Sequence, residues 1–237
     1  MGVPRPPEPV PRRRPLAYRR LALPRASVYY LPLPRRLPKR SFFPVLLGRR
    51  STREFGAVNE GHLSTLLWYS ARTHEIRKRE KGPEWRHKCT PSAGGCHPIE
   101  VLLAGPSDSA WPTHFYDDNA HALCGLPLPL GETGESLRRE IAAILEPGAG
   151  TVLLFAADYR RTSSLYRFAD SLLWRDAGAL LATMTLIAHA LNLNCCALGF
   201  TGDSLIKRLL GENAFVGMGG CIVGSKPGKP AKAAVTQ

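Results

Sequence analysis

Helical spacing is absent from the first forty residues, where prolines alternate with arginines, and begins only beyond them. In NEGHLSTLLWYSAR, Leu63, Leu66, Leu67 and Ser70 fall at i, i+3, i+4 and i+7, which predicts an amphipathic helix. Trp68 and Tyr69 widen its apolar stripe. A polar, charged loop follows, and TPSAGGCHPIEVLLAG then reads as a Gly-rich turn leading into a strand from Glu100 to Ala104. Residues 115–130 predict a hairpin or extended segment, GESLRREIAAIL a helix stopped by Pro147-Gly148, and TVLLFAAD a buried strand. The longest helical signal runs from about Ser171 to Leu193, with apolar residues on more than one stripe. It predicts a central helix buried on most sides. ALGFTGDS breaks that pattern, Asp203 or Ser204 is suited to cap LIKRLLG, and CIVG reads as a last strand. Strands and helices mix without a regular βαβ period, so the pattern predicts an α+β fold.

Composition adds bounds. The 237 residues suffice for one substantial core, expected over residues 41–237. No apolar run approaches the roughly 18 to 20 residues that span a bilayer. The first twenty residues lack the apolar stretch of a secretory signal, which predicts a cytoplasmic protein whose six cysteines are reduced. The net charge of +13 is unevenly spread. Residues 1–40 carry 11 Lys and Arg against one Glu, leaving only +3 for the rest. Residues 1–40 are therefore expected to be a disordered basic tail, and nucleic acid is not favoured as a partner.

Three stretches carry a resemblance. RRSTREF opens the domain, PSAGGCHPIEVLLAG holds the turn, and LLWRDAGALLATMTLIAHALNLNCCALGFTGDS forms the long helix and the loop after it. In that order they resemble the nitroreductase-fold flavoproteins, and within them the SagB/McbC-type dehydrogenases of azole-forming peptide-modifying clusters. The resemblance covers residues 41–224. It implies a central, mostly antiparallel sheet with a long core helix, an intertwined homodimer, and FMN held at the subunit interface.

The residues suit that implication. On an extended segment Arg49, Ser51 and Arg53 project to one side, and guanidinium groups bind a phosphate dianion through bidentate hydrogen bonds. By resemblance these three contact the phosphate and ribityl chain, with Lys226 and Lys229 as further phosphate partners. Pro91, Ser92, Ala93 and Gly94 are small enough to let the backbone approach a flat cofactor, and the resemblance places them against the flavin, with His97 and Glu100 as neighbours of that loop. Leu198, Gly199 and Phe200 are the residues implied at the reactive edge of the isoalloxazine. Cys96-His97 has no second ligand pair at a zinc-like spacing, so no metal is expected. Adjacent Cys195 and Cys196 read as small hydrophobes rather than a redox pair.

Relatives that oxidise azolines carry a Lys-Tyr pair before the long helix. Here the equivalent is Leu165-Tyr166, which leaves Tyr166 as the catalytic acid or base, helped by the positive charge of Arg161 or Arg167. The leading expectation is an FMN-dependent dehydrogenase acting on a modified peptide or natural-product intermediate, with the basic tail attracting a precursor peptide or partner enzyme. An NAD(P)H-dependent reductase of nitro, quinone or dehydroamino-acid substrates is the alternative within the same fold. A non-catalytic, partner-binding subunit is the alternative outside enzymology.

Overall fold

The computed structural model describes residues 5–35, 38–106, 113–211 and 215–227. Its centre is a seven-stranded antiparallel sheet. From one edge to the other the strands are β10 (Asn194–Ala197), β11 (Val216–Gly224), β8 (Thr151–Ala157), β5 (Ile99–Ala104), β6 (His114–Asp117), β7 (Ala122–Gly125) and β2 (Val28–Tyr30). The central strands are apolar on both faces because both faces are covered. Along β8, Leu153, Phe155 and Ala157 point to one core, and Val152, Leu154 and Ala156 to the other. α2 (Glu60–Ser70) and the long α5 (Asp170–Ala190) fill the first face, and α3 (Gly134–Ala142) and α6 (Asp203–Leu210) the second. α1 (Phe42–Gly48) packs beside α5. The expected α+β class with a mostly antiparallel sheet is what the structure shows.

Local chemistry sets the helix starts. The Asn59 side chain accepts from the His62 N–H at 2.8 Å to cap α2, and Thr133 with Ser136 forms a reciprocal capping box on α3. The expected cap of α6 by Asp203 or Ser204 is corrected. Gly202 is the N-cap, at φ 69°, and the Asp203 carboxylate instead receives Lys207 at 2.7 Å and the Gly217 N–H at 2.9 Å.

The amino-terminal segment also differs from expectation. Residues 5–35 are not a free tail but a strap laid across the domain. β1 (Val10–Pro11) pairs with β9 (Tyr166–Arg167), and β2 closes one edge of the main sheet. The positive charges that suggested solvation have partners. Arg20 binds both Glu100 oxygens and reaches Asp118 at 3.0 Å, Arg25 pairs with Asp117, and the Tyr18 hydroxyl donates to Asp158. Charge counting missed this because the acids that neutralise the strap lie 80 or more residues away.

α5 differs as well. One stripe, including Leu173, Ala177, Leu180, Met184 and Ala188, is buried, whereas Trp174, Gly178 and Ala182 face outward. Next to it α1 leaves Phe43 at 71% and Leu47 at 74% exposure. The six cysteines are unpaired. Cys195 and Cys196 are buried on opposite faces of the sheet, as alternation along β10 requires.

Candidate functional site

The predicted site residues fall into two groups at opposite ends of α5. The first is the Gly-rich turn. Gly94 and Gly95 lie at φ 59° and 60°, and His97 at 49°. That left-handed run folds the chain back, and buried Asp176 of α5 braces it. The Asp176 carboxylate accepts the Ser92 hydroxyl at 2.5 Å and the Ala93 N–H at 3.0 Å. Burial pushes this carboxyl above its usual range, against the pull of those two donors. Ser92 accepts in turn from the His97 N–H at 2.8 Å, and the His97 ring donates through Nε2 to the Arg86 carbonyl at 3.1 Å. Pro91, Ser92, Ala93 and Gly94 are thus held together, with Pro91 and Gly94 exposed.

Tyr166 reaches the same place from β9. A Cβ on Gly94 would stand 2.9 Å from its hydroxyl, so the phenol lies directly against the turn. Of the two arginines expected to assist it, Arg161 is buried with its guanidinium 5.6 Å from the Tyr18 ring centroid, turned to the strap. Arg167 is exposed on β9 beside it.

The second group gathers at the other end of α5. Residues 49–54 run along the edge strand. The Thr52 N–H donates to the Cys195 carbonyl at 3.2 Å, and Thr52 Oγ1 accepts from the Cys195 N–H at 3.1 Å. Thr52 is turned inward and Ser51 and Arg53 are exposed, but the expected alternation does not extend along the segment: Arg49 is half-buried, and Arg50 and Glu54 are exposed. The Gly56–Ser225 bridge brings the chain before Lys226 alongside this segment. Burial first, and then the charges of Arg40, Lys226, Arg49 and Arg50, push the His189 imidazole below its usual range. Arg40 donates to the His189 carbonyl at 3.2 Å, and the charges of Lys226, Arg49 and Arg50 act on the same last turn of α5, where the helix dipole is itself negative. Among the described residues no carboxylate forms an ion pair with any of them. Arg50 turns back to the Leu47 and Arg49 carbonyls at 2.8 and 2.9 Å, leaving Arg49 and Lys226 as the better placed donors. Lys229 lies outside the described residues.

Leu198, Gly199 and Phe200 follow β10 on this same edge. Leu198 is buried and donates its N–H to the Gly220 carbonyl at 2.9 Å, while the Phe200 ring covers Gly202. A Cβ added to exposed Gly199 would meet nothing within 4 Å. Between the two groups, along α5, lies an apolar groove of about 480 Å³ lined by Phe42, Val45, Tyr69, Leu186, Ile187 and Ala190, with Arg40 at its rim.

The model of one protein family, described as the nitroreductase family, matches residues 46–224, which include the Gly-rich turn, Tyr166, α5 and residues 49–54. The chain belongs to the nitroreductase family. A solved structure described as a nitroreductase from Ralstonia eutropha JMP134 superposes with a TM-score of 0.68 at 21% identity, covering 91% of this chain and 98% of that one. The E. coli microcin synthetase McbBCD complex with truncated pro-MccB17 bound gives 0.58 at 16% identity, over 89% of this chain and 71% of that chain. A nitroreductase-described structure from Anabaena variabilis gives 0.58 at 19%, over 77% and 37%. At these identities the likeness is one of fold. No curated protein matches the chain.

Within this nitroreductase-family fold, sequence reading missed Asp176, His189 and Arg40. Asp176 and His189 did leave a signal, as polar residues inside an otherwise apolar helical run. Arg40 left none, being one basic residue among eleven.

Proposed function

We propose that this chain is an FMN-dependent oxidoreductase, a SagB-type dehydrogenase that removes hydride from a modified peptide or related natural-product intermediate, working as a homodimer. The observation that carries the cofactor assignment is the basic end of α5, where Arg40 contacts the His189 carbonyl, the Gly56–Ser225 bridge brings the chain before Lys226 beside residues 49–54, and none of Arg40, Arg49, Arg50 and Lys226 forms an ion pair among the described residues. Such a cluster is costly unless an anion completes it, and a phosphate monoester is the anion that guanidinium groups bind best. Gly199, where an added Cβ would meet nothing within 4 Å, offers backbone without side-chain bulk for a flat ring system.

Distance supports the dimer. Asp176, which braces the turn, and His189, which marks the cationic end, are 13 residues apart on one helix, about 20 Å. A two-fold axis across the middle of α5 brings the cationic end of one copy to the turn of the other. The exposed apolar surface of α1 and the small outward residues of α5 suit such a contact.

Bound FMN would supply hydride acceptance at the isoalloxazine N5. This chain's own residues do the rest. Arg49, Arg53 and Lys226 hold the phosphate, with Ser51 offering a hydroxyl to the ribityl end. Asp176 fixes Ser92 and Ala93 so that the turn presents a rigid wall. Leu198 anchors the exposed Gly199 to β11. Tyr166, against Gly94, accepts in its phenolate form the proton that leaves the substrate as the hydride departs, and becomes the neutral phenol. Peptide as the substrate class is supported by the fold likeness to a microcin synthetase complex that holds a truncated pro-peptide.

A visible spectrum of the purified protein, before and after incubation with FMN, tests the reading. Flavin absorbance that persists through gel filtration is expected, and a colourless protein that takes up no FMN refutes it. Anaerobic mixing of the yellow protein with NADPH then separates dehydrogenase from reductase, since rapid bleaching marks the latter.

A further inference from the structure

Beside the Gly-rich turn, the strap and the loop between β3 (Glu75–Arg77) and β4 (Trp85–His87) face each other across an open groove of about 430 Å³. Arg13, Arg14 and Pro15 form one wall, and Arg79, Glu80 and Lys81 the other. Four cations face a single carboxylate. Elsewhere the strap's arginines are occupied: Arg12 donates to the Ser163 carbonyl, Arg20 to Glu100 and Asp118, and Arg25 to Asp117. The side chains of Arg13, Arg14 and Lys81 are exposed and, among the described residues, enter no hydrogen bond or ion pair. A cleft lined by one sign of charge concentrates potential and draws in the opposite sign.

Its position matters as much as its charge. Arg79 donates to the carbonyls of Gly94 and Pro83, which ties the loop wall to the Gly-rich turn. Three residues before Arg14, β1 pairs with Tyr166 and Arg167, which ties the strap wall to the candidate acid or base. Next to Lys81, Gly82 packs so closely on the strap that an added Cβ would crowd Pro15 and Leu165 at 3.1 and 3.0 Å, which ties the two walls together. An anion seated here lies next to Gly94 and Tyr166.

We propose that the groove binds an acidic segment of the peptide substrate, seating its Asp and Glu side chains so that a neighbouring residue reaches the turn. This rests on the peptide-dehydrogenase reading above. The lining favours a flexible acidic chain over a nucleotide: it has guanidinium and ammonium groups for carboxylates, but no aromatic ring on which a base would stack and no helix start for a pyrophosphate. On this proposal the attraction comes not from a diffuse tail but from two strap arginines acting with a loop.

The test uses the full chain, loaded with FMN, in calorimetric titrations with a short synthetic peptide alternating Glu and Ser and with its Gln counterpart. The Glu peptide is expected to bind, more weakly as salt rises, and the Gln peptide not to bind. The double variant Arg13→Glu/Arg14→Glu should lose about tenfold or more in affinity, with flavin content unchanged. Lys81→Glu repeats the test from the opposite wall. The proposal is overturned if both peptides bind alike, if the variants bind as the parent does, or if NADPH rather than the Glu peptide is what the variants fail to bind. A yellow protein that ignores the Glu peptide sinks this proposal alone, whereas a colourless protein sinks the flavin reading beneath it.

Discussion

Asp176 and Ser92 stand 84 residues apart in sequence and 2.5 Å apart in space, and through that contact the long helix fixes the Gly-rich turn. Asp176→Asn keeps the shape but puts an amide where one carboxylate oxygen now accepts a hydrogen bond. About 1–3 kcal/mol of turn stabilisation should be lost, as for other hydrogen bonds to a charged group. FMN affinity measured by fluorescence titration should fall by roughly tenfold or more, while Asp176→Glu, which restores the acceptors, should recover part of it.

Gly94 and Tyr166 provide a second test of the turn. Gly94→Ala places a side chain at φ 59° and within 2.9 Å of the Tyr166 hydroxyl, and should cost about 1–3 kcal/mol in urea melts. Adding Tyr166→Phe removes the crowding oxygen but leaves the backbone strain. The pair should therefore couple by about 0.5 kcal/mol or more in a double-mutant cycle, and strict additivity would deny the contact.

At the cationic end the two predicted arginines are not equivalent. Arg49 joins the cluster that acts on His189, whereas Arg53 does not. Arg49→Ala should weaken FMN binding by about 1.5–3 kcal/mol, as expected for a lost charged hydrogen bond, and Arg53→Ala by less. Equal losses would place Arg53 on the phosphate as squarely as Arg49.

Phe43→Glu addresses the interface. Its side chain is 71% exposed in the single chain, so the substitution should not unfold it. Sedimentation equilibrium should show the parent as a dimer and the variant shifted toward monomer, with flavin retention falling in step. A monomeric variant that stays yellow would place the cofactor within one chain.

His97 gives a pH dependence. Burial first, then Lys88 and Arg161, lower its imidazole to about 3, so it is neutral in the native state while the unfolded chain binds a proton below about 6.5. Stability from this residue is therefore present above that value and lost as pH falls toward 3, by up to about 1.4 kcal/mol per pH unit. Urea melts at pH 7 and pH 5 should show a smaller loss for His97→Gln than for the parent. His121, lowered to about 4 by burial and by Arg72, contributes the same sign in both proteins.

Much of this architecture was readable from residue order because its signals are local. The helical spacing of Leu63, Leu66 and Leu67, the breaker at Pro147-Gly148 and the apolar run of TVLLFAAD each act over a few residues. The short-range rule that grouped Arg49, Ser51 and Arg53 holds only locally: Thr52 turns onto Cys195 between exposed Ser51 and Arg53, but Arg49 is half-buried and Arg50 and Glu54 are exposed. What failed was long-range. The strap's neutralising acids, Glu100, Asp117 and Asp118, lie in strands and turns that only the fold brings near Arg20 and Arg25. α5 misled for a related reason: apolar periodicity reports that a face prefers to leave water, not whether its partner is in the same chain. Leu181, Leu186 and Ile187 are only half-buried. α1 was hidden because its FFPVLLG carries a proline at its third position, where the missing N–H costs little.

The strap changes how the molecule can be cut. A boundary drawn at residue 40 by charge and proline content would remove β2 and leave the hydrogen-bonding edge of β7 open to other chains. The same cut would strip Arg20 from Glu100, leave Asp158 without Tyr18, and leave Asp117 without Arg25, orphaning carboxylates that are all buried. A shortened expression clone designed to improve solubility would thus be expected to aggregate. Loss of binding or colour in such a clone would report misfolding rather than the role of the arginines.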